Sequence, residues 1–208
     1  MRLLSALLAG CLTAVASLAS ADILIVGDSI SAAYGIDKAE GWAELLAERV
    51  NEECPGMAVH NASVSGETTG GGVARLPALL ERYSPVILVI ELGGNDGLRG
   101  MAPAHMQNNL AAMVQQGRAA GAEPVLLGMK IPPNYGERYT ELFERAFRQV
   151  ADDEKVPLLP FFLDGVGGDA SLMQEDGIHP LAAAQPRLLD NAWQVLAEPV
   201  HRLCAAAL

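Results

Sequence analysis

Short apolar runs alternate with longer amphipathic segments along most of this chain. Five of these runs are bounded by turn residues, which is typical of β-strands. They cover residues 23–27, 57–61, 86–92, 124–129 and 156–161. The run at 86–92 (VILVIEL) is apolar almost throughout, as expected for a central strand that is buried on both faces.

The segments between these runs carry apolar residues at helical spacing. In residues 41–53 (GWAELLAERVNEE), Trp42, Leu46 and Val50 fall on one face of a helix. Further helices are predicted over residues 73–83, 103–120, 136–154 and 180–204, the last with interruptions at Pro186 and Pro199. This alternation predicts parallel strands covered by helices on both faces and joined by right-handed crossovers. We therefore predict one three-layer α/β/α domain.

The first 21 residues do not fit the alternation. Arg2 is their only charged residue, an apolar stretch follows it, and three small residues end at Ala21. This layout is typical of a secretory signal peptide that is cleaved after Ala21. We predict a signal peptide at residues 1–21, a folded domain at residues 22–208, and export of the mature protein to the periplasm or out of the cell.

A second interpretation of the amino terminus is open. Residues 8–11 (LAGC) resemble the lipobox of bacterial lipoproteins, in which Cys11 carries the lipid. The apolar stretch continues past Cys11 to a good cleavage site, which favours the simple signal peptide. Both interpretations export the protein, but only lipidation at Cys11 attaches it to a membrane.

The composition narrows the range of partners. The 208-residue chain is half hydrophobic and has a formal net charge of −11. An acidic surface disfavours binding to nucleic acid or to anionic lipid head groups. Beyond the signal peptide, no apolar stretch reaches the roughly 18 residues that a spanning helix needs.

Removal of the signal peptide leaves two cysteines, Cys54 and Cys204. An oxidising compartment permits disulfides, and two thiols with no histidine-rich cluster nearby do not make a zinc site. Cys54 directly follows the first predicted helix, and Cys204 lies in the carboxyl-terminal segment. A disulfide between them is our hypothesis, and two free thiols are the alternative.

Ser29 is the first candidate for chemistry, because ligands bind beyond the carboxyl ends of the strands in open parallel sheets. It follows the first strand in the stretch GDSIS at residues 27–31. Asp and Ser before a helix are also ordinary caps. Ser31 stands where the nucleophile elbow G-x-S-x-G requires glycine. Ser29 alone therefore does not distinguish a nucleophile from a helix cap.

A serine nucleophile needs a base, and the chain has four histidines. His60 lies in a predicted strand, His105 at a helix start, and His201 near the carboxyl terminus. His179 follows the last strand in the stretch DGIHP, three residues after Asp176. This carboxylate can hold one ring nitrogen while the other takes the serine proton. Capping of the next helix is the alternative interpretation.

Acyl transfer also needs hydrogen-bond donors for the negative charge that develops on the carbonyl oxygen. Gly66 follows the second strand, and its backbone N–H is not shielded by a side chain. Asn95 follows the third strand in the stretch GGND and offers an amide. Each segment also fits an ordinary turn. Together, however, Ser, Gly, Asn, Asp and His at the ends of four strands favour a common site.

The chain resembles the SGNH (GDSL-type) hydrolases in four separated blocks, in order: GDSIS at 27–31, NASVSG at 61–66, GGND at 93–96 and DGIHP at 176–180. The stretches at 90–100 and 132–136 are similar to those of periplasmic multifunctional esterases of the acyl-CoA thioesterase/lysophospholipase/arylesterase type. The resemblance implies a flavodoxin-like fold, with a five-stranded parallel sheet in the order 2-1-3-4-5.

The resemblance also implies a role for each residue of the site. Ser29 is the expected nucleophile, His179 the general base and then acid, and Asp176 the orienting carboxylate. The backbone N–H groups of Ser29 and Gly66 and the amide of Asn95 form the expected oxyanion hole. The implied activity is hydrolysis of esters and thioesters through an acyl-enzyme on Ser29, with no metal and no cofactor. The expected partner is therefore a small-molecule acyl ester or thioester substrate, with no obligatory protein partner.

An acyl chain needs an apolar wall beside this site. Residues that follow strands three and four are the candidates: Leu98, Met101, Ile131, Pro132 and Tyr135. Packing between loops is the alternative for each of them. Two other functions are open, namely carbohydrate O-deacetylation by the same chemistry and ligand binding by a non-catalytic flavodoxin-like domain. Few aromatic residues in the rim loops and no Gly-rich phosphate motif disfavour them.

Overall fold

The computed structural model describes residues 22–207, so the predicted signal peptide and Cys11 lie outside it. The five strands form one parallel sheet in the order β2-β1-β3-β4-β5, which confirms the predicted order. The strands are β1 (Ile23–Gly27), β2 (Val59–Asn61), β3 (Ile87–Glu91), β4 (Glu123–Leu127) and β5 (Leu158–Leu159). Strands β1 and β3 are buried along their whole length, as the apolar runs predict.

Helices cover both faces of the sheet. They are α1 (Trp42–Glu53), α2 (Thr69–Tyr83), α3 (Gly94–Leu98), α4 (Pro103–Ala119), α5 (Glu137–Glu154) and α6 (Gln185–Ala207). Helices α1 and α6 pack together, and α4 packs between α2 and α5. Right-handed crossovers place these two groups on opposite faces. Between residues 22 and 207 no helix is long and apolar enough to span a bilayer.

Helix α2 begins earlier than the periodicity predicts, at Thr69 rather than residue 73. The side chain of Thr68 accepts a hydrogen bond from the Gly71 N–H and caps the first turn. The first turn contains three glycines, which have low helix propensity, so the sequence pattern does not predict a helix there. A Cβ at Gly72 would lie 2.5 Å from the Leu92 side chain, so glycine lets the helix approach the sheet closely.

The carboxyl-terminal helix also differs from its prediction. A short 3-10 turn (Ala182–Ala184) precedes α6, so Pro186 falls in the first turn of the helix, where its missing N–H costs nothing. Helix α6 then continues through Pro199 without a break. The flanking residues Leu196 and Val200 are fully buried, and their packing offsets the loss of one helical hydrogen bond.

Cys54 and Cys204 are joined by a disulfide, with their Cα atoms 5.6 Å apart. The bond links the residue after α1 to α6, which packs beside it. A covalent link across 150 residues of sequence restricts the unfolded chain over most of the domain. This pairing matches the hypothesis drawn from the two cysteines that remain after the signal peptide.

Candidate active site

The turn after β1 holds the candidate nucleophile. Strand β1 ends at Gly27, and the chain turns back so that the Asp28 and Ser29 carbonyls accept hydrogen bonds from later backbone N–H groups. The side chain of Ser29 lines a cavity at the carboxyl edge of the sheet. The turn therefore places Ser29 at the edge where ligands bind in parallel sheets.

Ser29, His179 and Asp176 form a continuous chain of hydrogen bonds. The Ser29 Oγ lies 2.9 Å from the His179 Nε2, and the His179 Nδ1 lies 2.6 Å from Asp176 Oδ2. An ionised carboxylate only accepts hydrogen bonds, so Nδ1 carries the ring hydrogen and Nε2 is free to accept from the Ser29 hydroxyl. The geometry is that of a nucleophile, a base and an orienting carboxylate.

Asp176 is held as a carboxylate. Its hydrogen bond with His179 is the main cause that lowers the Asp176 pKa to about 2. The backbone N–H groups of Ile178 and His179 donate to Oδ1 and lower the pKa further. The side chain therefore stays charged through the neutral range, where it fixes the His179 ring.

Two residues that the sequence analysis did not single out hold the histidine loop. The ring of Tyr34 packs against the ring of His179, with 4.5 Å between centroids. The Gln174 side-chain amide donates to the carbonyl oxygens of Tyr34 and Pro180, at 2.8 and 3.2 Å. Gln174 thus links the segment after Ser29 to the loop that carries His179.

The three predicted oxyanion donors differ in position: Ser29 and Asn95 line the cavity, whereas Gly66 is not among its lining residues. Within residues 22–207, the backbone N–H groups of Ser29 and Gly66 have no hydrogen-bond partner. Gly66 has a φ of +78°, which favours glycine. The Val64 N–H donates to the Gly27 carbonyl at 3.1 Å and holds the Gly66 segment beside the nucleophile turn. The amide of Asn95, in α3, lines the same cavity as Ser29.

Asp28 orients this amide. The Asn95 Nδ2 donates to Asp28 Oδ2 at 3.0 Å, which leaves its second hydrogen for a substrate. Asp28 Oδ1 accepts from the Ile30 N–H at 3.0 Å. Burial raises the pKa of Asp28 to about 6. The sequence analysis considered only the serine of this block. The contact between Asp28 and Asn95 arises because β1 and β3 are neighbours in the sheet, which brings the turns that follow them together.

A largely apolar cavity of about 500 Å³ opens beside Ser29. Leu98, Ile131 and Pro132 line it, as predicted. Further lining residues come from the long loop after β5, for which the sequence analysis named no acyl-wall residue: Phe161, Leu163, Gly167, Gly168, Met173 and Ile178. An irregular loop has no helical or strand periodicity, so the sequence does not show which of its side chains face a cavity.

Met101 and Tyr135 do not belong to the cavity lining, in contrast to the prediction. The Tyr135 hydroxyl donates to the Leu98 carbonyl at 2.8 Å, so Tyr135 supports the backbone of a residue that lines the cavity. The Met101 carbonyl accepts from the Tyr139 hydroxyl at 2.6 Å, while the Met101 side chain is partly exposed on the surface. Both residues fix the loop between α3 and α4 instead of facing the cavity.

Comparison with known proteins gives concordant matches. The sequence profile of the GDSL-like Lipase/Acylhydrolase family matches residues 25–186. Esterase TesA of Pseudomonas aeruginosa is 57% identical over 193 residues, which are 91% of this chain and 96% of that protein. Thioesterase 1/protease 1/lysophospholipase L1 of Escherichia coli is 44% identical over 173 residues, 83% of this chain and 82% of the other.

A solved structure agrees with these matches. The crystal structure of TesA superposes with a TM-score of 0.83 at 58% identity. The match covers 86% of this chain and 99% of that one. The likeness therefore extends over nearly the whole described domain.

Proposed function

Because this chain belongs to the GDSL-like lipase/acylhydrolase family, we propose that it hydrolyses carboxylic esters and acyl thioesters through an acyl-enzyme on Ser29. The observation that carries the proposal is the hydrogen-bonded chain from Ser29 through His179 to Asp176 beside an apolar cavity. A largely apolar cavity wall suits an acyl chain, and the Ser29 N–H and the Asn95 amide that line the same cavity suit a carbonyl oxygen.

In the acylation step, Ser29 Oγ attacks the substrate carbonyl carbon as its proton passes to His179 Nε2. Asp176 stabilises the imidazolium that forms, and the N–H groups of Ser29 and Gly66 with the Asn95 amide bind the oxyanion. The bond from the carbonyl carbon to the leaving oxygen or sulfur then breaks. The leaving alcohol or thiol takes the proton from His179, and the acyl group stays on Ser29.

In the deacylation step, water takes the place of the leaving group. His179 Nε2 removes a proton from this water, which attacks the acyl-enzyme carbonyl carbon. The second tetrahedral intermediate uses the same oxyanion donors. Its collapse returns the proton from His179 to Ser29 Oγ and releases the carboxylic acid.

The relatives support a substrate class with an acyl chain. Their names describe an esterase in one case and a thioesterase and lysophospholipase in the other. The cavity beside Ser29 is open and mostly aliphatic, so we propose that it accepts acyl chains of several lengths and makes few demands on the leaving group. Carbohydrate O-deacetylation is less suited to such walls, which offer little for sugar stacking.

A substrate profile tests this function. We expect p-nitrophenyl esters and acyl thioesters of medium chain length to be hydrolysed, with much lower rates on acetyl-xylan. Since no step uses a metal, EDTA is expected to leave these rates unchanged. Rates on acetyl-xylan that exceed those on medium-chain esters, or loss of ester hydrolysis in EDTA that zinc restores, would contradict the proposal.

Removal of one oxyanion donor is expected to have a large effect. In the Asn95→Ala variant, kcat for p-nitrophenyl butyrate should fall by about 10²–10³-fold, because the developing charge loses a donor aimed at it. Asn109→Ala is the matched control, since the Asn109 amide donates to the Thr69 hydroxyl and does not line the cavity. Equal kcat values in the Asn95→Ala and wild-type enzymes would exclude Asn95 from the oxyanion hole.

We also propose that the protein acts after export. The support is the layout of residues 1–21 and the disulfide between Cys54 and Cys204, a bond that an oxidising compartment permits. Cleavage after Ala21 releases the domain into the periplasm, and acylation of Cys11 would anchor it instead. Small-molecule acyl esters or thioesters are the expected partners in either case.

A further inference from the structure

Glu91 is a fully buried acid that the proposed reaction does not use. It ends β3 beside Gly27 at the end of β1. A Cβ at Gly27 would lie 2.7 Å from Glu91 Oε2 and from the Ser31 Oγ, so the glycine provides the space for this carboxyl group. Glycine at position 27 therefore leaves room for the Glu91 carboxyl group next to the turn that carries Ser29.

The hydrogen bonds to Glu91 have a fixed direction. The Trp42 indole N–H donates to the Ser31 Oγ at 3.1 Å. An indole nitrogen cannot accept, so the Ser31 hydroxyl directs its own hydrogen to Glu91 Oε2, at 2.6 Å. The Asp28 backbone N–H donates to the same oxygen at 3.3 Å. Glu91 Oε2 therefore accepts two hydrogen bonds, from the Asp28 N–H and from the Ser31 hydroxyl. These two residues flank Ser29, so Glu91 holds the turn on both sides of the nucleophile.

The second oxygen of Glu91 is in a different environment. Oε1 is buried and has no hydrogen-bond partner among the residues that the structure describes. An ionised carboxylate in such a place is strongly destabilised, whereas a neutral acid can carry its hydrogen on Oε1 and leave one unpaired donor, which is the smaller penalty. Burial and the neighbouring Asp28 both raise the pKa of Glu91 well above its ordinary value.

Asp28 is the better place for the single negative charge of this pair. Both of its oxygens accept hydrogen bonds, one from the Ile30 N–H and one from the Asn95 amide. A protonated ring at His179 favours the ionised form of Asp28, whereas the charge of Asp96 opposes it. Glu91, in contrast, feels the charge of Asp28 and has donors on one oxygen only.

We propose that Glu91 is a positioning residue of the oxyanion hole: in its protonated form it holds the turn from Asp28 to Ser31 and leaves Asp28 as the charged member of this pair beside the Ser29 and Asn95 donors. The proposal rests on the proposed acyl transfer at Ser29. A second negative charge here would oppose the oxyanion that the same donors must stabilise. Loss of the acceptor oxygen would free the turn that carries Ser29.

Two substitutions distinguish the effect of the Glu91 acceptor oxygen from the effect of a charge at Glu91. Glu91→Gln keeps an acceptor oxygen for Ser31 and Asp28 and has no charge, so kcat for p-nitrophenyl butyrate should stay within about tenfold of wild type at neutral pH. Glu91→Leu has similar volume but no acceptor, and we expect kcat to fall more than about tenfold below that of Glu91→Gln. KM should change little, because the acyl cavity is not touched.

Infrared difference spectra between wild type and Glu91→Gln at neutral pH report the proton directly and need no substrate. We expect the carbonyl stretch of a buried protonated acid in the wild-type protein only. Absence of this band, a kcat in Glu91→Gln as low as in Glu91→Leu, or a wild-type kcat in Glu91→Leu would each overturn the proposal. If Glu91→Leu does not fold, the spectra and Glu91→Gln still decide it. A wild-type protein inactive on esters would instead refute the proposed function.

Discussion

Replacement of Ser29 by Ala is expected to lower kcat for p-nitrophenyl butyrate by about 10⁴–10⁶-fold. The reason is that Ser29 Oγ is the only atom at the cavity edge that is hydrogen-bonded to His179 Nε2 in the part of the chain that the structure describes. No other side chain there can form the acyl-enzyme with this base. Binding of substrate should persist, because the apolar wall is unchanged. Steady-state rates and product analysis with thioesters measure the loss.

The control for this variant is a serine outside the site. Ser171 lies in the loop that precedes His179, and its hydroxyl donates to Asp169 at 2.7 Å. Ser171→Ala should keep wild-type kcat. A Ser29→Ala enzyme that retains a tenth or more of wild-type activity would show that another group performs the attack.

Replacement of His179 by Ala is expected to lower kcat by a similar factor of about 10⁴–10⁶. Without His179, no base takes the Ser29 proton and no acid protonates the leaving group. Because the two residues act as one unit, the Ser29→Ala/His179→Ala double variant should be no slower than either single variant by more than about tenfold. Single-turnover rates of all three variants test this expectation.

A matched histidine controls for the loss of an imidazole. His105 is exposed near the start of α4, and His105→Ala should have wild-type kcat. Independent, multiplicative losses in the double variant would mean that Ser29 and His179 do not serve the same step. That result would contradict the geometry in which Ser29 Oγ lies 2.9 Å from His179 Nε2.

The parallel sheet and the location of the site were accessible from the sequence pattern, and the strand order from the family resemblance. Buried parallel strands read as continuous apolar runs, and the residues after each run must meet at one edge of the sheet. That rule brings together Ser29, Gly66, Asn95 and His179 before any coordinates are known. The family resemblance of the four blocks supplied the roles, which adjacency alone leaves open.

Other features depend on tertiary contacts that leave no local pattern. Helix α2 starts among glycines because Gly72 must approach Leu92, and α3 (Gly94–Leu98) is too short to show a period. Glu91 reads as one polar residue in an apolar strand. Its function in the fold becomes visible only when Gly27 and Ser31 lie across from it.

The cavity illustrates the same limit. Side chains on the loops after β3 and β4 were assigned to the acyl wall from position alone, and Tyr135 proved to support that wall by its hydrogen bond to the Leu98 carbonyl. The wall formed by Phe161 and Met173 belongs to a long loop. Which side of a loop faces a cavity is set by packing, not by spacing in the sequence.

Covalent labelling with diethyl p-nitrophenyl phosphate tests the central role of Ser29 most directly. The phosphoryl group mimics the tetrahedral intermediate and stays on the nucleophile that attacks it. We predict a single diethylphosphoryl adduct in the intact mass, its location on Ser29 by peptide mapping, loss of activity in proportion to labelling, and no adduct in the Ser29→Ala variant. An adduct on another residue that accompanies inactivation, or labelling of Ser29→Ala at the wild-type rate, would contradict the account.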